Sequence, residues 1–259
     1  MLLIDATLSV LSAQGRKADS LMTQKWVKAL SAIGVGGVKR PREPVVAPDA
    51  IYGFDNFLRG DYPELFRQLR RLEPLEVVFG DSQGFATALA TAWLEEGGSG
   101  VVASLTGIGG LPALETLRLF LRQTGRMALP QANRPLANVI RLYETISGRK
   151  ISLFQPVLGQ GLFAVESGVH VDSWSKDPTL YEPFPPELTG AKRLLALGRH
   201  SGRGAVDLKC RQLGLDFPGE ALSGLLAQVR DKAVALGRSL TEDEFAALAR
   251  SLMERPLES

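Results

Sequence analysis

The chain is poor in the residues that carry most metal and redox chemistry: its 259 residues include one cysteine and two histidines. A single cysteine excludes an internal disulfide and fits a reducing compartment. Cys210 follows Leu208 and Lys209 in a helical pattern and reads as a packing residue rather than a nucleophile. Excess charge of either sign is also missing. Thirty Lys and Arg against 28 Asp and Glu leave a net charge of +2, with no run of five like charges. Nothing therefore calls for nucleic acid or an anionic membrane as a partner. No apolar run approaches the roughly 18 residues of a membrane span. The opening MLLIDATLSVLSAQGRK has no basic start ahead of its apolar stretch, so it reads as a strand rather than a secretory signal. Together these absences predict a cytoplasmic protein.

What is present describes a folded chain. Hydrophobic residues make up 45% and charged residues 22%, which argues against disorder. The length suits one large domain or two modest ones. Residues 2–8 are short and apolar, as expected of a buried parallel strand. Asp19 or Ser20 caps a helix whose apolar residues Met22, Trp26, Ala29, Leu30 and Ile33 recur at helical spacing, and Gly34 ends it. The stretch 35–48 mixes Gly, Pro and charge around Val45 to Ala47 and holds one or two brief strands. Helices are predicted over 63–72, 85–94 and 111–122, with strands at 75–79 and 101–105 between them. Alternation of this kind points to βα units around a parallel sheet. After residue 127 the pattern becomes mainly helical, over 136–147, 207–213, 219–236 and 241–253, with an extended link at 151–158. Thr241 and Glu244 form a capping box at the start of the last helix. The expected division is 1–126 and 127–259.

Several segments resemble the homocitrate synthase and 2-isopropylmalate synthase family, which condenses acetyl-CoA with a 2-oxo acid on a divalent metal. The first strand of the family barrel runs into Asp-Thr-Thr-Leu-Arg-Asp-Gly-Glu-Gln; here the text is Asp5-Ala6-Thr7-Leu8-Ser9-Val10. The resemblance puts Ser9 where a catalytic arginine is expected and Val10 where a metal-binding aspartate is expected. A later family strand reads Leu-Glu-x-His-x-His-Asn-Asp, and here Leu75-Glu76-Val77-Val78-Phe79-Gly80-Asp81-Ser82 places Val78 and Gly80 at the two histidine positions. Thr106-Gly107-Ile108-Gly109-Gly110 lacks the glutamate and asparagine of the family's next motif and is by itself a weak glycine loop. Length adds a separate argument. A full (β/α)₈ barrel takes about 250 residues, whereas residues 1–126 allow roughly four βα units. The central barrel strands are expected to be missing between Lys39 and Asp49. The fold class implied is α/β: a partial TIM-type (β/α) barrel followed by a mainly helical accessory domain.

Downstream the resemblance is closer. Phe163-Ala164-Val165-Glu166-Ser167-Gly168-Val169-His170-Val171-Asp172 matches Phe-Ala-His-Glu-Ser-Gly-Ile-His-Val-Asp, and Leu197-Gly198-Arg199-His200-Ser201-Gly202-Arg203 matches Leu-Gly-Lys-His-Ser-Gly-Arg. Tyr181-Glu182-Pro183 lies between them. The resemblance implies that His170 and Tyr181, with Glu166, serve proton transfer at the acetyl group, presented to the barrel of a dimer partner. A histidine suits that work near neutral pH. The competing reading is that His170 and Tyr181 hold the turns of the segment together. His200, Ser201 and Arg203 are candidates for meeting a CoA phosphate, against a structural reading in which the His200 imidazole bonds a loop carbonyl and Arg203 stabilises the turn.

These readings predict a shortened, homocitrate-synthase-like protein with no resident metal and impaired Claisen-type transfer from acetyl-CoA to 2-oxoglutarate. It would pair, as a homodimer or as a heterodimer with a full-length synthase, without nucleic acid or membrane. The alternative is an active acyltransferase of nitrogenase-cofactor or amino-acid biosynthesis. The short region after the barrel resembles homocitrate synthase more than isopropylmalate synthase.

Overall fold

A computed structural model describes residues 1–54, 62–73, 76–127, 134–166, 177 and 182–253. The chain divides into two compact units, Met1–Gly159 and Gln160–Ser259. That division falls after the helix that composition grouped with the second part.

The first unit is α/β. Its sheet contains β1 (Leu3–Asp5), β2 (Gly37–Val38), β3 (Ile51–Phe54), β4 (Val77–Phe79) and β5 (Val101–Ala103) in the order β2-β1-β5-β4-β3. All four pairings are parallel. Read from the other edge the order is 3-4-5-1-2, a cyclic permutation of the chain order. Sequential strands therefore step the same way around the sheet, whereas a doubly wound sheet reverses its direction of stepping. The connection 39–50 carries the chain from one edge, β2, to the other, β3. Among the described residues β2 pairs only with β1, and β3 only with β4.

The sheet curls. Register places Gly37, Ile4, Val102 and Val78 on one face, and the period of two adds Lys39 and Glu76 to it. Lys39 remains in the ladder, its N–H donating to the Asp5 carbonyl at 2.7 Å. Its Nζ meets Glu76 Oε2 at 2.7 Å, with β1 and β5 between the two strands. Three interstrand spacings make about 14 Å on a flat sheet. Side chains on one face of a flat sheet stand parallel, so they converge like this only across a concave surface.

The α-helices of this unit among the described residues are α1 (Thr7–Ala13), α2 (Ser20–Ser31), α3 (Tyr62–Arg70), α4 (Ala86–Glu95), α5 (Leu114–Gln123) and α6 (Arg134–Ser147). Asp19 caps α2 by accepting from Met22 N–H at 2.7 Å. Phe66 of α3 packs edge-on against both Phe79 of β4 and Trp93 of α4. All three rings are buried. Helix α6 packs on α2.

Several expectations are corrected here. The first strand stops at Asp5 and a helix begins at Thr7. Residues 7–11 are buried throughout, and a short continuous apolar run does not distinguish a strand from a buried helix. The stretch 35–48 does hold one brief strand, β2 at Gly37–Val38, but Val45 to Ala47 is not a second, because Pro44 and Pro48 bracket it and proline cannot donate to a ladder. The edge strand lies at Ile51–Phe54 instead. The link 151–158 folds into consecutive turns rather than an extended run.

The second unit has a two-stranded parallel pair, β6 (Ala164–Val165) with β7 (Leu194–Leu195). Three helices follow, α7 (Arg203–Gln212), α8 (Leu222–Leu236) and α9 (Glu242–Met253). Helix α7 starts four residues before the predicted 207, directly after the motif turn at Gly202. Leu197, Val206, Cys210, Leu225, Val229, Phe245 and Ala249 form the core of this unit. Cys210 is thus a packing residue, and burial, aided by Asp207, pushes its thiol pKa up.

Candidate functional site

In parallel α/β folds chemistry gathers at the carboxyl ends of the strands. Two buried carboxyls stand there. Asp5, the last residue of β1, accepts from Thr7 Oγ1 at 2.5 Å and from Trp26 Nε1 at 2.8 Å. Complete burial raises its pKa to about 6 against the lowering effect of those bonds. Thr7 Oγ1 also accepts from Leu105 N–H at 2.8 Å, tying the end of β1 to the loop after β5.

Glu115 lies in the first turn of α5 and is 2% exposed. Its Oε2 accepts from Thr106 N–H at 3.0 Å, while Oε1 has no hydrogen-bond partner among the described residues. Desolvation pushes its pKa to about 7 despite the backbone N–H groups and the Gln155 side chain around it, and the Asp5 charge adds to the rise. Thr106 holds a left-handed backbone, φ 61°, and its Oγ1 lies 3.2 Å from Tyr143 Oη of α6. The motif comparison passed over Asp5 and Glu115 as functional groups. The signal was there, an acid ending an apolar strand and another interrupting the stripe of Leu114, Leu117 and Leu121.

The positions at which the resemblance implies an arginine and metal ligands are built differently. Ser9 sits in α1, and its hydroxyl donates to the Glu43 carbonyl, pinning the 39–50 connection. Val10 is 5% exposed and fills the space beneath the glycine loop. A Cβ on Gly109 would stand 2.7 Å from Val10 Cγ1. Val78 is buried on the concave face, and Gly80 offers no side chain. Asp81 Oδ1 accepts from Ala86 N–H at 2.9 Å and so caps α4. Hydrocarbon and a bare backbone occupy these positions, and such a donor set does not fit a divalent cation. No cluster of three or more His, Cys, Asp or Glu side chains suited to a metal occurs among the described residues.

In the second unit the structure joins Glu166 to the motif turn. Glu166 Oε1 accepts from His200 N–H at 2.6 Å, and Ser201 Oγ approaches the Glu166 carbonyl at 3.3 Å. Gly198 makes the approach possible, since a Cβ there would fall 2.6 Å from Glu166 Oε1. Ser201 is fully buried, and its Oγ accepts from Gly198 N–H at 2.9 Å. The Ser201 carbonyl accepts from Arg230 Nε and Nη2 at 3.1 and 2.8 Å. Arg203 reaches the Gly219 carbonyl at 2.7 Å. Ser201 is thus engaged in holding the turn, whereas Arg203 ties the start of α7 to the segment before α8. Among the described residues the His200 imidazole bonds no loop carbonyl; its Nε2 accepts from Arg199 Nε at 2.8 Å. His170 and Tyr181 lie outside the described residues.

Comparison with known proteins fits this arrangement. Residues 157–239 match the family described as homocitrate synthase post-HMGL domain-like. The chain is 32% identical over 187 residues to a putative (R)-citramalate synthase of Methanopyrus kandleri, covering 71% of the chain and 36% of that protein. It is 33% identical over 175 residues to a homocitrate synthase of Methanocaldococcus jannaschii, covering 66% and 43% respectively. It is 29% identical over 148 residues to the homocitrate synthase omega subunit of Clostridium pasteurianum, covering 57% and 42%. The chain thus spans less than half the length of each of these three relatives.

Proposed function

The chain belongs to the alpha-isopropylmalate/homocitrate synthase family, and on that premise we propose that it is a catalytically impaired relative acting as the dimer partner of a complete synthase. The observation that carries the first half is Val10 packed against Gly109, with Val78 and Gly80 at the other ligand positions. A divalent ion polarises the 2-oxo acid in the reaction implied by the resemblance, and that polarisation contributes several kcal/mol to the transition state. These side chains offer nothing to hold such an ion. The sheet supports reading the first unit as an arc of a (β/α) barrel. Its cyclic strand order and the Lys39–Glu76 contact across the concave face are what a barrel missing its central strands leaves behind.

The partner role rests on an asymmetry. The side chains that the resemblance assigns to acting on a partner's barrel, Glu166, His170 and Tyr181, are present in the sequence, while those acting within the chain's own barrel are replaced. A relative named as a subunit of homocitrate synthase supports a divided assembly. In this reading the second unit presents His170 and Tyr181 to the other chain's acetyl group, and the turn holding Glu166 fixes where their segment begins.

Co-expression with a full-length homocitrate synthase tests the role. The expected result is co-purification, and a synthase rate that changes when this chain carries His170→Ala. Independent elution together with an unaltered rate sinks it. A thiol-release assay on the pure chain with acetyl-CoA and 2-oxoglutarate is expected to show no metal-dependent turnover. Turnover that rises with added Mg²⁺ or Mn²⁺ instead establishes an active acyltransferase.

A further inference from the structure

Helix α3 follows the edge strand of the first unit's sheet, since β3 pairs only with β4 among the described residues. One side of the helix is occupied: Phe66 turns toward Phe79 and Trp93. A second side is apolar and uncovered. Leu65, Leu69 and Leu72 recur at i, i+4 and i+7, which sets them on one stripe roughly a quarter-turn from Phe66. Leu72 lies past the last α-helical residue, but its N–H bonds the Leu69 carbonyl at 3.0 Å and keeps it on the stripe. Leu65 is 39% exposed and Leu72 68% exposed, with Leu69 half-buried between them. Tyr52, on the edge strand itself, is 68% exposed as well. Leucines at this spacing are what a helix presents to another helix. We propose that a second copy of this chain covers the stripe, α3 lying antiparallel on α3 about a twofold axis near Leu69. The proposal stands apart from the partner role, because it concerns the first unit and no other protein.

The charges beside the stripe identify the occupant. Glu64, Gln68 and Arg71 form one flank, along which Gln68 Nε2 donates to Glu64 Oε1 at 3.0 Å. The flank begins with an acid and ends with a base. A twofold interface turns it end for end. Leu65 then faces Leu72 of the second copy, Leu69 faces its own counterpart, and Glu64 faces Arg71. A parallel pairing would instead set Glu64 against Glu64 and Arg71 against Arg71. Arg71 forms no ion pair among the described residues. Glu64 meets Arg67 at 3.1 Å, but both groups are largely exposed, and such a pair contributes too little to keep a second cation away. A helix of nine residues covers less than the roughly 1,200 Å² of a stable interface, so the dimer is one that dissociates on dilution.

The test is sedimentation velocity of the full chain and its variants over a concentration series, with circular dichroism to check that each variant is folded. A monomer–dimer equilibrium is expected. Leu69→Gln should weaken it about tenfold or more, since symmetry removes two leucines at once. Glu64→Arg and Arg71→Glu should each weaken it about fivefold by setting like charges opposite. An equimolar mixture of these two variants should associate as well as the native chain, because each reversed charge then meets an opposite one. Leu69→Cys should give a disulfide-linked dimer on oxidation and Leu65→Cys should not, since antiparallel helices hold the two copies of position 65 about 10 Å apart. Cys210 is buried and does not compete. A chain that stays monomeric up to about 1 mM overturns the proposal. So does a dimer that Leu69→Gln and both charge reversals leave unchanged, a mixture no stronger than its components, or a link through Leu65→Cys in place of Leu69→Cys. Capture of a complete synthase without self-association, lost in Leu69→Gln, also overturns it and assigns the stripe to that other chain.

Discussion

The two units keep their polar groups in opposite ways. At the strand ends of the first unit the carboxyls of Asp5 and Glu115 are buried and raised in pKa, and the surrounding ligand positions are filled with hydrocarbon. In the second unit Glu166, Arg199 and His200 line an open cavity, and the turn beneath them is satisfied bond by bond. One region fills the ends of its strands with packing, whereas the other keeps a polar surface on a turn held by hydrogen bonds. A family motif that persists in sequence therefore says where a surface is maintained, and only the neighbouring residues say whether chemistry is.

The sharpest way to break this comparison is to restore an acid to the first unit. Val10→Asp puts a carboxylate against Gly109 at a buried position, with no cation to meet it. Burying an unpaired charge is expected to cost about 3 kcal/mol or more, read as a lowered denaturation midpoint that Mg²⁺ or Mn²⁺ leaves where it is. A metal-dependent recovery of the midpoint would mean that the cation site survives apart from one residue.

Glu115→Gln sharpens the same contrast through pH. The folded chain holds the Glu115 proton up to about pH 7, whereas an ordinary glutamate releases it near 4.5. The folded state thus binds more protons between those values, and stability falls as pH rises through that window. The loss is on the order of 3 kcal/mol for a shift of this size. Asp5 acts in the same sense between its ordinary 3.8 and about 6. The Gln variant keeps the Thr106 contact without a charge. It should match the native chain at pH 4.5 and exceed it in stability at pH 8. Equal stability of the two proteins at pH 8 would show that the carboxyl is hydrated there.

How much of this was legible beforehand depended on range. The α2 cap at Asp19 and the capping box of α9 are local, and both were readable from a few residues. The motif flanks located the Glu166 and His200 segments because backbone turns constrain small residues such as Gly198. Pairing over distance was not readable. Neither β6 with β7, some 30 residues apart, nor the edge strand at Ile51–Phe54 carries a strong periodic signal. Asp5 follows the apolar run Leu2 to Ile4 and Glu115 follows Leu114, so burial was signalled locally, whereas the raised pKa of each carboxyl is a property of the packed unit. Ser9 was read as a vacancy where an arginine was expected, and its bond to the Glu43 carbonyl gives it a structural task instead.

In the second unit a smaller change probes the hydrogen-bonded turn. Gly198→Ala introduces a Cβ 2.6 Å from Glu166 Oε1, a distance no real contact tolerates. The carboxylate has to swing away, losing the bond from His200 N–H, for a cost of about 1–2 kcal/mol. The denaturation midpoint reads this loss, and an unchanged midpoint would show that the turn does not depend on the Glu166 carboxylate.

The smallest expected effect is the control for the comparison. Thr241 Oγ1 accepts from Glu244 N–H at 3.2 Å, and Glu244 Oε2 accepts from Thr241 N–H at 2.8 Å. Thr241→Ala removes one half of this box, and losing such a cap costs about 1 kcal/mol. Helix α9 packs on α8, whose last turn walls the cavity. The midpoint of the second unit should drop slightly while the Val10 region is unaffected. An unchanged midpoint would show that α9 is held by its packing on α8 rather than by its first turn.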